Sequence, residues 1–126
     1  MGRWLLGLAL AVSAIRVMDR APEQPAIPPT TSGLASWYGG GEPLNTHVAM
    51  GHRFNPEALE AAMWDVPLGA SVKVTNLENG RSIVVRVTDR GPARRLSRAI
   101  DLTRASFAKL APLEQGLIPV RIQPLF

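Results

Sequence analysis

The sequence predicts a small, mainly β domain that closes into a compact barrel. Three observations lead to this prediction: short alternating segments rich in β-branched residues, an Asn-Gly turn signal between two of them, and only brief helix-like segments. The chain has 126 residues, which suits one domain with a modest core. Local pattern predicts five or six short strands and two small helices, and it leaves their topology open.

The first predicted strand and the first predicted helix lie in the N-terminal half of this body. "LASWYG", residues 34–39, predicts a strand that ends at a run of three glycines. "PEALEAAM", residues 56–63, predicts a helix, because Asn55 is a good N-cap and Pro56 suits the first helical position.

The C-terminal half begins with a predicted hairpin. "ASVKVTNL" and "RSIVVRVTD", residues 70–77 and 81–89, alternate in hydropathy and predict two strands. Asn79-Gly80 between them suits a type I′ turn. "TRASFAKLAP" then predicts a second helix capped by Thr103, and "IPVRIQPL" predicts a final strand.

The N-terminal segment predicts export. "MGRWLLGLALAVSAIR" has an early arginine and then an apolar run of twelve residues, against the roughly 20 that a membrane span needs. Residues 1–14 therefore predict a signal peptide cleaved after Ala14, with a buried helix or an uncleaved anchor as the alternatives. Residues 15–32 contain four prolines and predict a linker, or an irregular arm on the domain, before a body at 33–126.

Composition excludes several kinds of site. The absence of cysteine excludes a disulfide framework, a thiol nucleophile and a lipidated cysteine. His47 and His52 are five residues apart, which is not the spacing of a helical zinc pair, so we expect no metal site. The net charge of +4 suits nucleic acid, an anionic membrane face or an acidic polymer, or it reflects scattered surface charges. Export argues against nucleic acid as the partner.

Two acids at the ends of predicted strands are the candidate chemical groups. Asp89 lies in "VRVTDRGPARR" and Asp101 in "AIDLTRAS". In a barrel, both can lie at the rim of a cleft and transfer protons. Local pattern favours plainer roles: Asp89 bonding the amides of its own turn, and Asp101 bonding the start of the second helix or a nearby arginine.

The order of these motifs identifies a resemblance. "GLASWYGGG", "AMGHRFNPEALEAAMWDVPLGASVKVTNLENGRSIVVRVTDRGP" and "RAIDLTRASFAKL" together closely resemble the RlpA (rare lipoprotein A-like) family, from about Gly33 to Leu125. The resemblance implies a six-stranded double-psi β-barrel and an exported envelope protein that acts on peptidoglycan. Active members are lytic transglycosylases, which cleave between N-acetylmuramic acid and N-acetylglucosamine and leave a 1,6-anhydromuramic end.

The resemblance also implies roles for individual residues. Asp89 occupies the DRGP position and becomes the expected general acid and base, with Asp101 as a second acid or a site-shaping group. His52 and Asn55 stand where the family has the acids of G-E-x-F-D, and Met63 stands where it has the histidine of A-A-H. His52 can still transfer a proton, Asn55 can orient a sugar or cap a helix, and Met63 can only pack.

Aromatic and basic side chains are the candidate glycan contacts. Tyr38 and Trp64 can stack on sugar rings, whereas Trp37 suits core packing in its strand. Arg90 can engage stem-peptide carboxylates or belong to a solvated loop. The same two alternatives hold for its neighbours Arg94, Arg95 and Arg98.

Two functions remain open at this stage. One is a peptidoglycan lytic transglycosylase that uses Asp89, and the other is a catalytically degenerate glycan-binding or expansin-like wall-loosening module. Both imply peptidoglycan glycan strands as the ligand, envelope or divisome proteins as candidate partners, a monomer with no cofactor, and a location in the periplasm or cell envelope.

Overall fold

Six strands close into a barrel in the computed structural model of the chain, which describes residues 27–39 and 46–125. The strands are β1 (Thr31–Tyr38), β2 (Glu60–Ala62), β3 (Ser71–Asn76), β4 (Ser82–Asp89), β5 (Ile100–Thr103) and β6 (Ile118–Pro124). Their order around the barrel is β1-β5-β2-β4-β3-β6. The predicted six-stranded barrel is therefore confirmed.

Alternation along the strands separates the core from the surface. Val72 and Val74 in β3 are buried, and Lys73 between them is exposed. Val85 and Val87 in β4 are buried in the same way. Each such side chain contributes roughly 1.5–3 kcal/mol by leaving water. The two-residue period of the hairpin therefore supplies much of the core.

The β3–β4 hairpin is confirmed, but its turn is not of type I′. That turn needs positive φ at both central residues, and of Asn79 and Gly80 only Gly80 has it (φ 76). The chain makes a longer loop over residues 77–80, closed by the Gly80 amide on the Asn76 carbonyl at 2.8 Å. The side-chain amides of Asn76 and Asn79 both donate to the Leu110 carbonyl, at 3.0 and 2.8 Å, and these contacts hold the longer loop.

The predicted helix over residues 56–63 is wrong. Residues 56–59 form turns, and Glu60–Ala62 form β2. Ala61 is fully buried and lies opposite Val87 on one side and Leu102 on the other. Strand pairing on both sides outweighs helix propensity, which is only a weak preference.

The second predicted helix is confirmed as α1 (Arg104–Leu110), and it is the one α-helix within the described residues. Thr103 caps it, as expected, by accepting a hydrogen bond from the Ser106 amide at 3.3 Å. Two 3-10 turns, Arg94–Leu96 and Leu113–Gln115, lie outside it. The described residues thus contain one α-helix, and neither 3-10 turn lies in the segment that was wrongly predicted as the first helix.

The first strand begins earlier than the sequence analysis placed the body. Thr31 lies opposite Ile122 and Ser32 opposite Arg121, so two residues assigned to the linker belong to β1. The predicted signal peptide at residues 1–14 and the linker as far as residue 26 lie outside the described residues. None of the helices described is long and apolar enough to cross a membrane.

Candidate functional site

A row of residues in register crosses four neighbouring strands. Ser36 in β1 lies opposite Asp101 in β5, Asp101 lies opposite Ala62 in β2, and Ala62 lies opposite Asp89 in β4. Neighbouring strands lie about 4.8 Å apart, so the backbones of the two acids are roughly 9.6 Å apart. Ala62 between them has only a methyl group. The row therefore places two carboxylates on either side of an open floor.

An open cleft of about 250 Å³ lies over this row. Both predicted acids line it, and both belong to strand ends. The lining residues are Tyr38, Val48, Phe54, Ala62, Asp89, Arg90, Gly91, Pro92, Ala93 and Asp101. The structure thus brings Asp89, Asp101, Tyr38 and Arg90 together around one cavity.

Asp89 makes the turn contact that local pattern favoured, and it also lines the cleft. Its Oδ1 accepts a hydrogen bond from the Arg90 amide at 2.9 Å, which is the expected turn contact. The same oxygen accepts from the Ala49 amide at 3.0 Å. Within the described residues no donor contacts Oδ2. Asp89 is therefore oriented through one oxygen while its carboxylate lines the cleft.

Asp101 is oriented by β1. Ser36, which is 3 % exposed, donates its hydroxyl to Asp101 Oδ1 at 3.0 Å. The cap of α1 is Thr103, so Asp101 does not have that role. Asp101 also lines the cleft.

Tyr38 forms part of the floor of the cleft. Its ring is 8 % exposed and stacks on Phe54 with 5.0 Å between the ring centroids. Its hydroxyl is buried and has no hydrogen-bond partner among the described residues. Burial raises the pKa of this phenol well above its usual range, and the charges of Asp89, Asp101 and Glu60 raise it further. The site therefore holds a neutral hydroxyl close to three carboxylates.

Gly39 has no side chain, and this lets the Phe54 ring pack close to the backbone next to Tyr38. Its φ is +97°, and a Cβ at this position would lie 3.0 Å from both the Phe54 ring and Pro56. Only glycine combines this backbone conformation with that close approach.

Glu60 supports the site from outside the cleft, a role that the sequence analysis missed. Its carboxylate lies 3.0 and 3.1 Å from His52 Nε2 and accepts the Thr88 hydroxyl at 2.8 Å. Thr88 is fully buried, and the side chain of Glu60 is 17 % exposed. Because residues 56–63 were predicted to be a helix, the face that Glu60 shares with Ala62 could not be recognised. Two-residue alternation around the buried Ala61 was the available signal.

His52 belongs to a small hairpin, residues 47–53, that docks on β4. His47 pairs with Arg53 at its base, and Val48 and His52 share a hydrogen bond of 3.0 Å. Two hydrogen bonds join the hairpin to β4: the Met50 amide donates to the Thr88 carbonyl, and the Ala49 amide donates to Asp89 Oδ1. The hairpin also contacts β2, because His52 pairs with Glu60. His52 does not line the cleft; it helps to hold the segment that orients Asp89.

The other two substituted positions have structural roles. Asn55 Oδ1 accepts the Glu57 amide at 2.9 Å, so it stabilises a turn and does not cap a helix. Met63 is 5 % exposed and packs in the hydrophobic core. Neither side chain lines the cleft.

A second groove, here called the Trp64 groove, lies behind the segment that forms one wall of the cleft. Its volume is about 320 Å³. Trp64 is 39 % exposed, donates its indole N–H to the Pro92 carbonyl at 2.7 Å and carries the Arg94 guanidinium 4.8 Å above its ring. The groove is lined by Thr31, Ser32, Met63, Trp64, Asp65, Arg94, Arg98 and Ala99.

Arg90 and Trp37 both have partners inside the protein. Nη1 of Arg90 donates to the carbonyls of Met63, Trp64 and Val66, so this guanidinium braces the loop after β2. Trp37 packs against the core, and its indole N–H donates to the Leu113 carbonyl at 3.0 Å. Core packing, the role favoured for Trp37, is confirmed. Among the described residues no group of His, Asp and Glu side chains is arranged to hold a metal ion.

Comparisons with known proteins agree with this geometry. A family model described as "Lytic transglycolase" matches residues 30–122. The probable endolytic peptidoglycan transglycosylase RlpA of Nostoc sp. is 48% identical over 94 residues, which are 74% of this chain and 25% of that protein. The endolytic peptidoglycan transglycosylase RlpA of Campylobacter jejuni is 38% identical over 102 residues, 81% and 36% of the two chains. This chain therefore spans about a quarter to a third of the length of these relatives.

Two solved structures share the fold. The Streptomyces papain inhibitor has a TM-score of 0.64 and 28% identity, and the match covers 79% of this chain and 97% of that one. An expansin of Clavibacter michiganensis has a TM-score of 0.59 and 20% identity, with 77% and 50% covered. The barrel is of the double-psi type.

Proposed function

The chain belongs to the RlpA family of lytic transglycosylases, and on that premise we propose that it is an endolytic peptidoglycan lytic transglycosylase. The substrate is the glycan strand, cut between N-acetylmuramic acid and N-acetylglucosamine. One observation carries the proposal: Asp89 is held by two backbone amides on one oxygen while its carboxylate lines an open cleft.

The reaction needs one proton-transferring group in this cleft. Protonated Asp89 donates its proton to the glycosidic oxygen as the bond from that oxygen to C1 of the muramic sugar breaks. The 6-hydroxyl of the same sugar then bonds to C1, and Asp89 takes the hydroxyl proton. The products are a 1,6-anhydromuramic end and a free 4-hydroxyl on the other sugar. No water is consumed, so a second carboxylate that activates water, as in ordinary glycosidases, is not required.

The other cleft residues position the sugar. Asp101 is held by Ser36 and lies across Ala62 from Asp89, so it faces the glycan strand from the opposite side. Tyr38 supports the cleft from below, and its buried hydroxyl stays protonated because its pKa is raised. The ring of Phe54 offers an apolar face in the same cleft.

Digestion of purified sacculi tests the proposal. The protein is expected to release anhydromuropeptides, detected by mass spectrometry, and Asp89→Asn is expected to lower the yield about 100-fold or more. Glu114→Gln, an exposed acid in the second 3-10 turn, is the control and is expected to leave the yield unchanged. An Asp89→Asn variant that releases as much product as the wild type would refute the role of Asp89.

A second candidate function rests on the substituted positions. Asn55 stabilises a turn and Met63 packs in the core, so neither can transfer a proton. A barrel in which these family positions no longer carry ionisable groups could bind glycan strands, or loosen the wall, without cutting them. This function predicts co-sedimentation with sacculi that survives Asp89→Asn and no anhydromuropeptide from either protein.

The proposed substrate sets the proposed location. Peptidoglycan lies outside the cytoplasmic membrane, so we infer that residues 1–14 direct export and residues 15–32 link the signal to the domain, apart from Thr31 and Ser32 in β1. Envelope or divisome proteins are the proposed partners. Detection of the protein in the periplasmic or envelope fraction, with a new N-terminus after Ala14, tests this inference.

A further inference from the structure

The Trp64 groove lies directly beside the cleft, with one short segment between them. Ala93 lines the cleft and Arg94, the next residue, lines the groove, so their Cα atoms are about 3.8 Å apart. The hydrogen bond from Trp64 to the Pro92 carbonyl holds the indole against the same segment. The cleft and the groove therefore share one wall, the segment that includes Pro92, Ala93 and Arg94.

The groove carries two arginines that have no acidic partner. Within residues 27–39 and 46–125 neither Arg94 nor Arg98 forms an ion pair. Asp65 is the one acid among the residues that line the groove. Two guanidinium groups against one carboxylate leave the groove with a positive charge.

Arg94 is held in place without using up its donors. Its guanidinium stacks on the Trp64 ring at 4.8 Å, a contact that restricts the side chain through the face of the group. The N–H groups at the edge of a stacked guanidinium remain able to bind a carboxylate in a bidentate way. Arg90 is the contrast, because its Nη1 is occupied by three backbone carbonyls. Arg90 therefore braces the loop after β2, whereas Arg94 can bind a ligand.

We propose that the Trp64 groove is a carboxylate-binding subsite for the sugar residues next to the cleft, an inference that rests on the proposed function. Muramic acid has a carboxyl group on its lactyl ether. In strands without peptides this carboxylate is free, and in peptide-bearing strands it is amide-linked while the peptide supplies other carboxylates. A neutral chito-oligosaccharide has neither. Arg94 and Arg98 bind the carboxylate, and the exposed part of Trp64 contacts the sugar.

Equilibrium binding to three soluble ligands tests the subsite. The ligands are glycan strands stripped of peptide, strands that keep their peptides, and chitohexaose. Every protein carries Asp89→Asn so that strands are not cut; asparagine keeps the oxygen that accepts the two amides. The parent is expected to bind at least one carboxylate-bearing ligand about tenfold more tightly than chitohexaose, since two exposed ion pairs are each worth up to about 1 kcal/mol. Which of the two strands binds more tightly identifies the source of the carboxylate.

Variants that change the charge of the groove test whether it causes the preference for carboxylate-bearing ligands. Arg94→Ala with Arg98→Ala is expected to remove the tenfold preference and to leave chitohexaose binding unchanged. Asp65→Asn is expected to strengthen binding of the carboxylate ligand about twofold or more, because it removes the opposing charge. Lys73→Ala with Lys109→Ala removes two exposed positive charges elsewhere and is expected to have no effect beyond about twofold.

The outcomes separate this inference from the proposed function. A parent protein that binds all three ligands equally, or a double arginine variant that keeps the preference, refutes the subsite alone. Equal losses in the arginine and lysine variants would assign the preference to overall charge, and this too refutes the subsite. Failure of the parent to bind any of the three ligands counts against the glycan-binding function itself.

Discussion

Removal of the Glu60 carboxylate tests whether this residue holds the 47–53 hairpin on the barrel. In Glu60→Ala the fully buried Thr88 hydroxyl loses its acceptor, and an unsatisfied buried polar group costs about 1–3 kcal/mol. His52 also loses its partner, but its side chain is 40 % exposed, so solvent screening limits that contribution to at most about 0.5 kcal/mol. The expected loss in free energy of unfolding is therefore about 1–3.5 kcal/mol.

Two milder variants divide this loss between the contacts. Glu60→Gln keeps an oxygen for Thr88 and is expected to cost less than about 1 kcal/mol. His52→Ala leaves Thr88 satisfied and is expected to cost at most about 0.5 kcal/mol. Glu114→Ala removes an exposed acid in a 3-10 turn and serves as the control, with no change expected.

Urea unfolding and amide hydrogen exchange measure the two parts of the effect. A loss of 1 kcal/mol lowers Tm by about 4–8 °C for a domain of this size, so Glu60→Ala is well within detection. Exchange at the amides of Ala49 and Met50 is expected to accelerate more than exchange in β3, because these amides donate to Asp89 and Thr88. A Glu60→Ala protein as stable as the control, with unchanged exchange at Ala49, would show that the carboxylate does not hold the hairpin.

Three further predictions follow from the cleft and the helix. Ala62→Leu fills the floor between the two acids and is expected to abolish sacculus digestion while far-UV circular dichroism stays unchanged; a fully active variant would place the substrate elsewhere. The raised pKa of Tyr38, caused first by burial, adds stability that is complete below pH about 10 and is lost as pH rises through the folded value. Wild type is therefore expected to lose more stability above pH 10 than Tyr38→Phe in parallel urea titrations, and equal losses would contradict this. Thr103→Ala is expected to lower stability by about 1 kcal/mol, because the Ser106 amide at the start of α1 loses its cap; a change below about 0.3 kcal/mol in the same titrations would count against the cap.

Local pattern was sufficient wherever neighbours in sequence supply the physical cause. The hairpin of β3 and β4 follows from two-residue alternation, and α1 follows from a threonine cap before a helix-forming segment. Asp89 was recognised as a site candidate from the motif around it. The type of the β3–β4 turn was not predicted, because two asparagines bind the carbonyl of Leu110, about thirty positions further along the chain.

The misassigned segment shows what local pattern lacks. Residues 56–63 have a cap, a proline at the first helical position and good helix formers, yet Ala61 forms a strand between β4 and β5. Propensity differences are a few tenths of a kcal/mol per residue, and burial of a strand between two others exceeds them. The same error concealed Glu60, whose role depends on facing Thr88 and His52.

The sequence by itself determined the barrel class, the hairpin and the capped helix. It also singled out Asp89 as a candidate for the site. Only the tertiary structure decided that Ser36, Asp101, Ala62 and Asp89 form one row, because the pairing of β1 with β5, of β5 with β2 and of β2 with β4 joins segments that are far apart in the chain. It also decided that Arg90 braces a loop while Arg94 stacks on Trp64. Alternation along a strand tells which face a residue occupies, but the register between distant strands is set by how the whole barrel closes.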